Sequence, residues 1–327
     1  MKNKKRFKQM IILIITTILF LTFVITKELS NVSIKNYENR TQDKIKFLNV
    51  GSGDCILLES NGLLAIVDAG EDATGIRFLF SGRKGYTNFV VNYIKQNFTK
   101  KNGDVDIEFI LGTHSHSDHL GNIDSIIEDD KINVKKLYVN EFHSDNIREK
   151  EKGWGMQEQY NKTVNAMRRE IGKRDADFTP TDEPFMFGDF KVTFLNTKPY
   201  TGEKIIGENE NSVMTVLEIR GKKICLTGDI NNLRKFNGLG KEDIYGPVIG
   251  DVDILKLGHH GYSGSNSREF LETLNPEVAI ITNKESRMCK ATKKDLKELL
   301  IPVYSSCVED GVEIEFFEDY YTLTQIK

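Results

Sequence analysis

Residues 105–121 read VDIEFILGTHSHSDHLG. An apolar run ends at Thr113, and His114, His116, Asp118 and His119 follow within six positions. Side chains two apart on extended backbone point to one face, so His114 and His116 can share one metal ion. Asp118 and His119 fall where the chain turns into the next helix and can hold a second ion. The whole chain has six histidines, so placing three of them behind one buried strand is poorly explained as a solvated polar loop. Imidazole and carboxylate donors suit zinc and tolerate manganese or iron.

The remaining histidines extend this reading. His259 and His260 close a second apolar strand, VDILKLGHHG at 252–261, and only His143 lies outside the two clusters. Asp229 ends a third apolar strand, KKICLTGD at 222–229. Alone it would be an ordinary turn aspartate. With two histidine clusters at other strand ends, it becomes a candidate bridge between two metals.

The strand runs fall in two groups with helical spacing between them. KIKFLNV, CILLES and LLAIVDAG open the folded part at Lys44 as short runs separated by glycine-rich turns, and a helix is predicted over Thr87–Phe98. VDIEFILGT reads as one strand, followed by a helix over 121–129 and a strand over 136–140. A charged segment, 141–180, holds a helix around 157–171. DFKVTFLNT, SVMTVLEIR, KKICLTGD and VDILKLG are strands, with a Gly-rich loop before the last. Helices near 267–274 and 292–300 and the strands VAIITN, VEIEFFE and YYTLTQI complete the chain. The pattern predicts an α/β fold, two mixed sheets face to face with helices outside, an αββα sandwich.

The N-terminus predicts a location. Lys2, Lys4, Lys5, Arg6 and Lys8 precede MIILIITTILFLTFVIT at 10–26, an uncharged stretch about long enough to cross a hydrocarbon core. The following KELSNVS has no convincing small-residue cleavage site, which favours a single-pass signal anchor over a secreted chain. Residues 1–27 then form a cytoplasmic stub and transmembrane helix, 28–43 a polar linker, and 44–327 an extracytoplasmic domain. Without the six cations of residues 1–27, 39 basic residues face 48 acidic ones, a net of about −9 that gives no general attraction to nucleic acid. Cys55 and Cys225 sit in apolar runs as buried thiols, while Cys289 and Cys307 lie in polar surroundings and could pair.

In this order, FLNVGSGDCILLES, IVDAG, THSHSDH, NENS, LTGD and KLGHHG resemble the metallo-β-lactamase superfamily over residues 44–283. They are most similar to the branch containing the nuclease-like domain of competence channel proteins, and closer still to the catalytic domain of teichoic acid phosphorylcholine esterase. The resemblance implies that His114 and His116 bind one metal, that Asp118, His119 and His260 bind the other, and that Asp229 bridges. It implies catalytic roles for Asp118, which would hold the attacking hydroxide, and for His259, which would face the scissile phosphate as hydrogen-bond donor or general acid. Where many relatives supply a third histidine to the first metal, this chain has Asn209, Asn211 and Ser212. That ion is expected to be under-coordinated by protein.

The function so implied is hydrolysis of a cell-surface phosphoester, such as phosphorylcholine on teichoic acid, with two divalent ions as cofactors and the membrane as partner. A metal-dependent nuclease and a non-catalytic surface module are the alternatives, and β-lactam hydrolysis fits the LTGD and HHG contexts less well. Asp68 is the candidate to orient a ligand imidazole. Lys256 is either a charge near the phosphate or a solvated edge lysine, and Asp54 a brace for the first loop. Trp154 and Tyr160 could cage a quaternary ammonium or simply pack the inserted helix.

Overall fold

The computed structural model describes residues 43–72, 84–171, 177–232 and 239–326. The basic stub, the apolar stretch at 10–26 and the linker up to residue 42 lie outside these. Among the described residues no helix is long and apolar enough to cross a membrane. Asp43, expected in the linker, is already the buried first residue of a strand, where it accepts hydrogen bonds from Ser60 and Arg220.

Two seven-stranded mixed sheets form the centre. The first has β1 (Asp43–Leu48), β2 (Cys55–Ser60), β3 (Leu63–Ala69), β5 (Phe109–Gly112) and β7 (Leu137–Val139), with β15 (Gly311–Phe316) and β16 (Tyr321–Ile326), in the order β16-β15-β1-β2-β3-β5-β7. The second has β8 (Phe185–Phe187), β9 (Phe190–Leu195), β10 (Met214–Ile219), β11 (Lys222–Leu226), β12 (Ile254–Lys256), β13 (Val278–Ile281) and β14 (Val303–Ser305), in the order β14-β13-β12-β11-β10-β9-β8. The run VDIEFILGT is not one strand. Its first part, β4 (Val105–Ile107), pairs with β6 (Ile132–Val134) in a separate ribbon, and only the second part enters the large sheet.

Period-two alternation explains the layers. Ile56 and Leu58 face Phe190, Leu217 and Ile224 between the sheets. Leu57 points the other way, to a helix layer of α1 (Thr87–Phe98), α3 (Ile123–Ile127) and α5 (Met156–Ile171). Likewise Ile254 and Ile280 face inward, while Leu255 and Ala279 meet α6 (Lys241–Ile249), α7 (Arg268–Leu274) and α8 (Lys290–Glu298) on the far side. The αββα sandwich is present as predicted. α2 (Ser117–Leu120) and α4 (Glu149–Lys152) are single turns, at the histidine cluster and in the charged insertion. α6 went unread because Gly246 and Pro247 lie inside it, two residues that ordinarily break helices.

Two parallel pairings position the site. β3 and β5 run in register from Ala65 with Phe109 to Val67 with Leu111, so their C-terminal ends coincide. β11 and β12 do the same from Ile224 with Ile254 to Leu226 with Lys256. Chain segments leaving these four ends emerge on one edge, where open α/β sheets place their ligands.

The loop after β12 is braced from α6. Buried Glu242 accepts backbone N–H bonds from Asn266 and Ser267, and the Asn266 amide clamps Gly258 at both its N–H (2.7 Å) and its carbonyl (2.9 Å). Burial raises the Glu242 carboxyl to about 7, only partly opposed by bonds from Ser267 and Asn266. The neutral form is therefore favoured by folding. Its stabilisation is complete below the ordinary value of 4.5 and is lost as pH rises through about 7. Thermal melts should show a midpoint falling from about pH 5 to about pH 8, and Glu242→Gln should flatten that fall. Equal pH slopes in the two proteins would contradict this assignment.

Candidate metal centre

Four loops meet at the common edge. The first follows β5 and carries Thr113 to His116, with His116 as the extended N-cap of α2. The second follows β11 and carries Asp229. Gly228 there has a φ of +53°, and a Cβ on it would sit 2.9 Å from the Ser212 Cβ, so the turn needs glycine. The third, Gly258–Gly261, holds His259 and His260 both in left-handed backbone, at φ of 51° and 50°. Such a conformation costs about 1–2 kcal/mol per non-glycine residue, and the Asn266 clamp is what maintains it. The fourth, before β2, brings Asp54.

The donor atoms converge on one oxygen. Asp229 Oδ2 lies 3.2 Å from His119 Nε2, 3.3 Å from His260 Nε2 and 4.0 Å from His114 Nε2. His114 Nε2 and His116 Nδ1 are 3.0 Å apart, and His119 Nε2 and His260 Nε2 are 3.2 Å apart. Asp118 Oδ2 stands 3.9 Å from His260 Nε2. An ion with tetrahedral ligands at about 2.0–2.1 Å spaces its donors by roughly 3.3 Å, so both imidazole pairs have the separation a shared ion requires. His114, His116 and Asp229 form one group that could hold a metal, and His119, His260, Asp229 and Asp54 another. Five of the six residues predicted as ligands fall in these two groups, with Asp229 in both; Asp118 falls in neither, lying beside His260, and Asp54 stands in the second group instead.

The outer ring nitrogens of His114, His119 and His260 are held by neighbouring oxygens that fix those imidazoles, while His116 Nε2 is buried without a partner. Asp68 Oδ2 lies 2.7 Å from His119 Nδ1, while Oδ1 accepts the Thr113 N–H at 2.7 Å, the support expected of it. Thr113 Oγ1 and Ser212 Oγ flank His114 Nδ1 at 3.1 and 3.2 Å. Ser212 also accepts the Asp229 N–H, so the NENS segment orients a ligand and the bridge. Thr282 Oγ1 and Asp54 Oδ1 stand 3.0 and 3.3 Å from His260 Nδ1. Buried Glu208 accepts the N–H of Ser115, between the first two histidines, at 3.0 Å.

Several expectations need correction. Lys256 is not a solvated edge residue. It is wholly buried, with Nζ 2.5 Å from Asp54 Oδ2, 2.8 Å from the Gly228 carbonyl and 3.7 Å from Asp229 Oδ1. Asp54 is more than a loop brace, because it joins Lys256 to His260. A lysine inside an all-apolar strand was the available signal, since lysine is almost never fully buried without a partner. Cys289 and Cys307 do not pair. All four cysteines are free, and Cys307 Sγ lies 3.1 Å from the Gly51 carbonyl. Tyr160 packs into the apolar clusters, whereas Trp154 lines the cleft with its ring 5.5 Å from His116. His143 pairs with Glu141 and does not line the cleft.

The centre forms the floor of an open cleft of about 970 Å³ reached by His116, Asp118, Asp229, His259 and His260. Burial lowers the pKa of His259, leaving it neutral near pH 7 and suited to donate a hydrogen bond. Burial would also lower His260, but Asp229 and Asp54 overcome this and hold it at about 9.

The sandwich, with its histidine and aspartate donors at one sheet edge, defines a metal-dependent hydrolase fold. Residues 48–282 match the metallo-beta-lactamase superfamily, and the chain belongs to that superfamily. It is 27% identical over 188 residues to ComE operon protein 3 of Bacillus subtilis (strain 168), covering 57% of this chain and 21% of that protein. It is 27% identical over 124 residues to Recombination protein 2 of Haemophilus influenzae, covering 37% of this chain and 15% of that one. The matched part is thus a small fraction of either relative. Among solved structures, unliganded yeast PDE1 aligns over 85% of this chain and 100% of its own at 13% identity, with a TM-score of 0.44. Zn(2+)-bound PqqB from Methylobacterium extorquens aligns over 80% and 86% at 11% identity, with a TM-score of 0.42.

Two outcomes follow from this geometry. A proton and a metal ion compete for Nε2 of His119 and His260, so metal affinity should rise with pH up to about 9, and binding should release protons. Titration calorimetry in buffers of different ionisation enthalpy measures that release, and a buffer-independent heat would refute it. Lys256→Met leaves Asp54 buried without its cation and should destabilise the fold by about 3–5 kcal/mol. Adding Asp54→Asn should recover part of the loss in denaturant melts, since both charges are then gone.

Proposed function

We propose that this chain is a phosphodiesterase working with two divalent metal ions on the outer side of a cell membrane. The observation that carries the reading is that two donor groups share Asp229 Oδ2 at the floor of an open cleft. His114 and His116 would hold one ion, and Asp118, His119 and His260 the other. The donor set suits zinc, with manganese or iron as alternatives. Bound there, the ions would supply Lewis acidity toward phosphoryl oxygens and make hydroxide available near neutral pH.

The protein's own residues do the rest. Burial would raise the Asp118 carboxyl, but facing His119, His260 and His116 hold it below the ordinary range. It stays ionised and can accept a hydrogen bond from an attacking water or hydroxide. His259, neutral and in the cleft, donates a hydrogen bond to a phosphoryl oxygen. Asn209 also lines the cleft, with a buried Oδ1 that lacks a partner, on the side where this chain has no third histidine. That side is left for substrate.

The location rests on residues 1–27, whose cations precede an apolar stretch and favour an exported domain. A cell-surface phosphoester polymer would then be within reach. A phosphorylcholine leaving group would want aromatic faces around its ammonium, and of Trp154 and Tyr160 only Trp154 is in the cleft. A second reading, nuclease, draws support from cationic side chains in the same cleft, among them Lys150 and Arg287.

Metal-replete protein should carry about two ions per chain and release p-nitrophenol from bis(p-nitrophenyl) phosphate. His116→Ala should lower kcat/KM by roughly 10²-fold or more. Unchanged turnover in that variant would overturn the assignment. Single-stranded DNA, incubated in parallel with manganese, separates nuclease from surface esterase.

A further inference from the structure

The surface charge reverses sign inside the cleft. Beyond residue 27 the chain is acidic overall, with 39 basic against 48 acidic residues. Yet the cleft is lined by Lys84, Lys150, Lys284 and Arg287, which make no ion pair among the described residues, and by Arg148, paired with Glu151 at 3.4 Å. The cleft's other acids are Asp118 and Asp229 in the centre itself, and Glu71, which accepts a hydrogen bond from Ser117 at 2.9 Å. The four unpaired cations come from three separate stretches of the chain, at 84, 150 and 284–287, so no basic run in the sequence shows them.

Two of these cations, Lys284 and Arg287, line the cleft together with Ser52, Tyr262 and Asn283. Tyr262 follows the His259–His260 turn directly, its ring centroid 5.5 Å from His259 and 6.4 Å from His260. Its hydroxyl is 3.2 Å from Ser52 Oγ. Asn283, which lines the same cleft, is 1% exposed, and its Nδ2 has no hydrogen-bond partner. Its Oδ1 is already used by the Lys284 N–H at 2.8 Å, so the free end of this amide is a donor. Buried donor, hydroxyls and two cations together favour an anion.

We propose that Tyr262, Asn283, Lys284 and Arg287 form a second anion subsite, which binds a phosphate group of the substrate adjacent to the scissile phosphodiester. This rests on the phosphodiesterase reading and narrows it to substrates with repeated phosphates. Guanidinium and ammonium groups match phosphate oxygens, and the Tyr262 ring lies 6.4 Å from that of His260. The same cations repel a quaternary ammonium, so the group leaving on this side is anionic rather than a choline head.

The test uses paired p-nitrophenyl phosphodiesters of glycerol, one with and one without a further phosphate on the glycerol, and a second pair built on thymidine. The extra phosphate should raise kcat/KM by roughly 10-fold or more, as one charge-assisted contact implies. Lys284→Ala/Arg287→Ala should bring the ratio close to one, with metal content and thermal midpoint unchanged. The gain should also shrink in high salt. A ratio of one in the wild type, or a ratio the double variant keeps, overturns the subsite. A gain on thymidine alone also overturns it, because recognition would then lie with the base. Should neither parent ester be cleaved, the hydrolase reading falls by itself. Binding still decides the subsite: glycerol bisphosphate must bind the metal-loaded protein more tightly than glycerol phosphate, and the double variant must lose that preference.

Discussion

Three buried carboxylates, Asp54, Asp68 and Asp229, and the partly exposed Asp118 gather at one edge of two packed sheets, and the side chains around them answer the charge they bring. Isolated buried carboxylates would be prohibitively costly. Lys256 neutralises part of the charge from below. His119 and His260 take protons or cations on the nitrogens facing Asp229 Oδ2. The same negative charge that must be balanced for the chain to fold therefore creates affinity for divalent cations. Stability and chemistry share one electrostatic origin here.

Precision at the edge comes from a second layer of contacts. Each ligand imidazole has its outer nitrogen held by Asp68, Thr113, Ser212, Thr282 or Asp54, apart from His116, whose Nε2 is buried without a partner. The strained His259–His260 turn is held by Asn266, itself held by Glu242 on a helix. A site built this way resists small shifts of its loops. Around it, Trp154, Tyr262 and the unpaired cations line the cleft.

Much of this was legible in the chain. The alternation of apolar residues marked the strands and the three-four spacing marked α1, whose bounds Thr87–Phe98 were read as they stand. Reading failed where local signals conflict with tertiary demands. Gly246 and Pro247 concealed α6, and continuous β character hid the break at Glu108, whose N–H bonds the Leu64 carbonyl while Ile107 turns to Lys135. Asp54 looked like a turn residue because its role depends on a lysine 202 positions away.

The sequence by itself determined the fold class and pointed to the strand ends where the candidate donors gather, because period-two apolar runs and histidines at strand ends are local patterns with few physical readings. Only the tertiary structure decided that one oxygen of Asp229 faces both donor groups, that Lys256 is buried beneath it, and that the cleft is cationic within an acidic chain. These depend on which strand ends become neighbours. That is a property of sheet order and register, and no local run of residues encodes it.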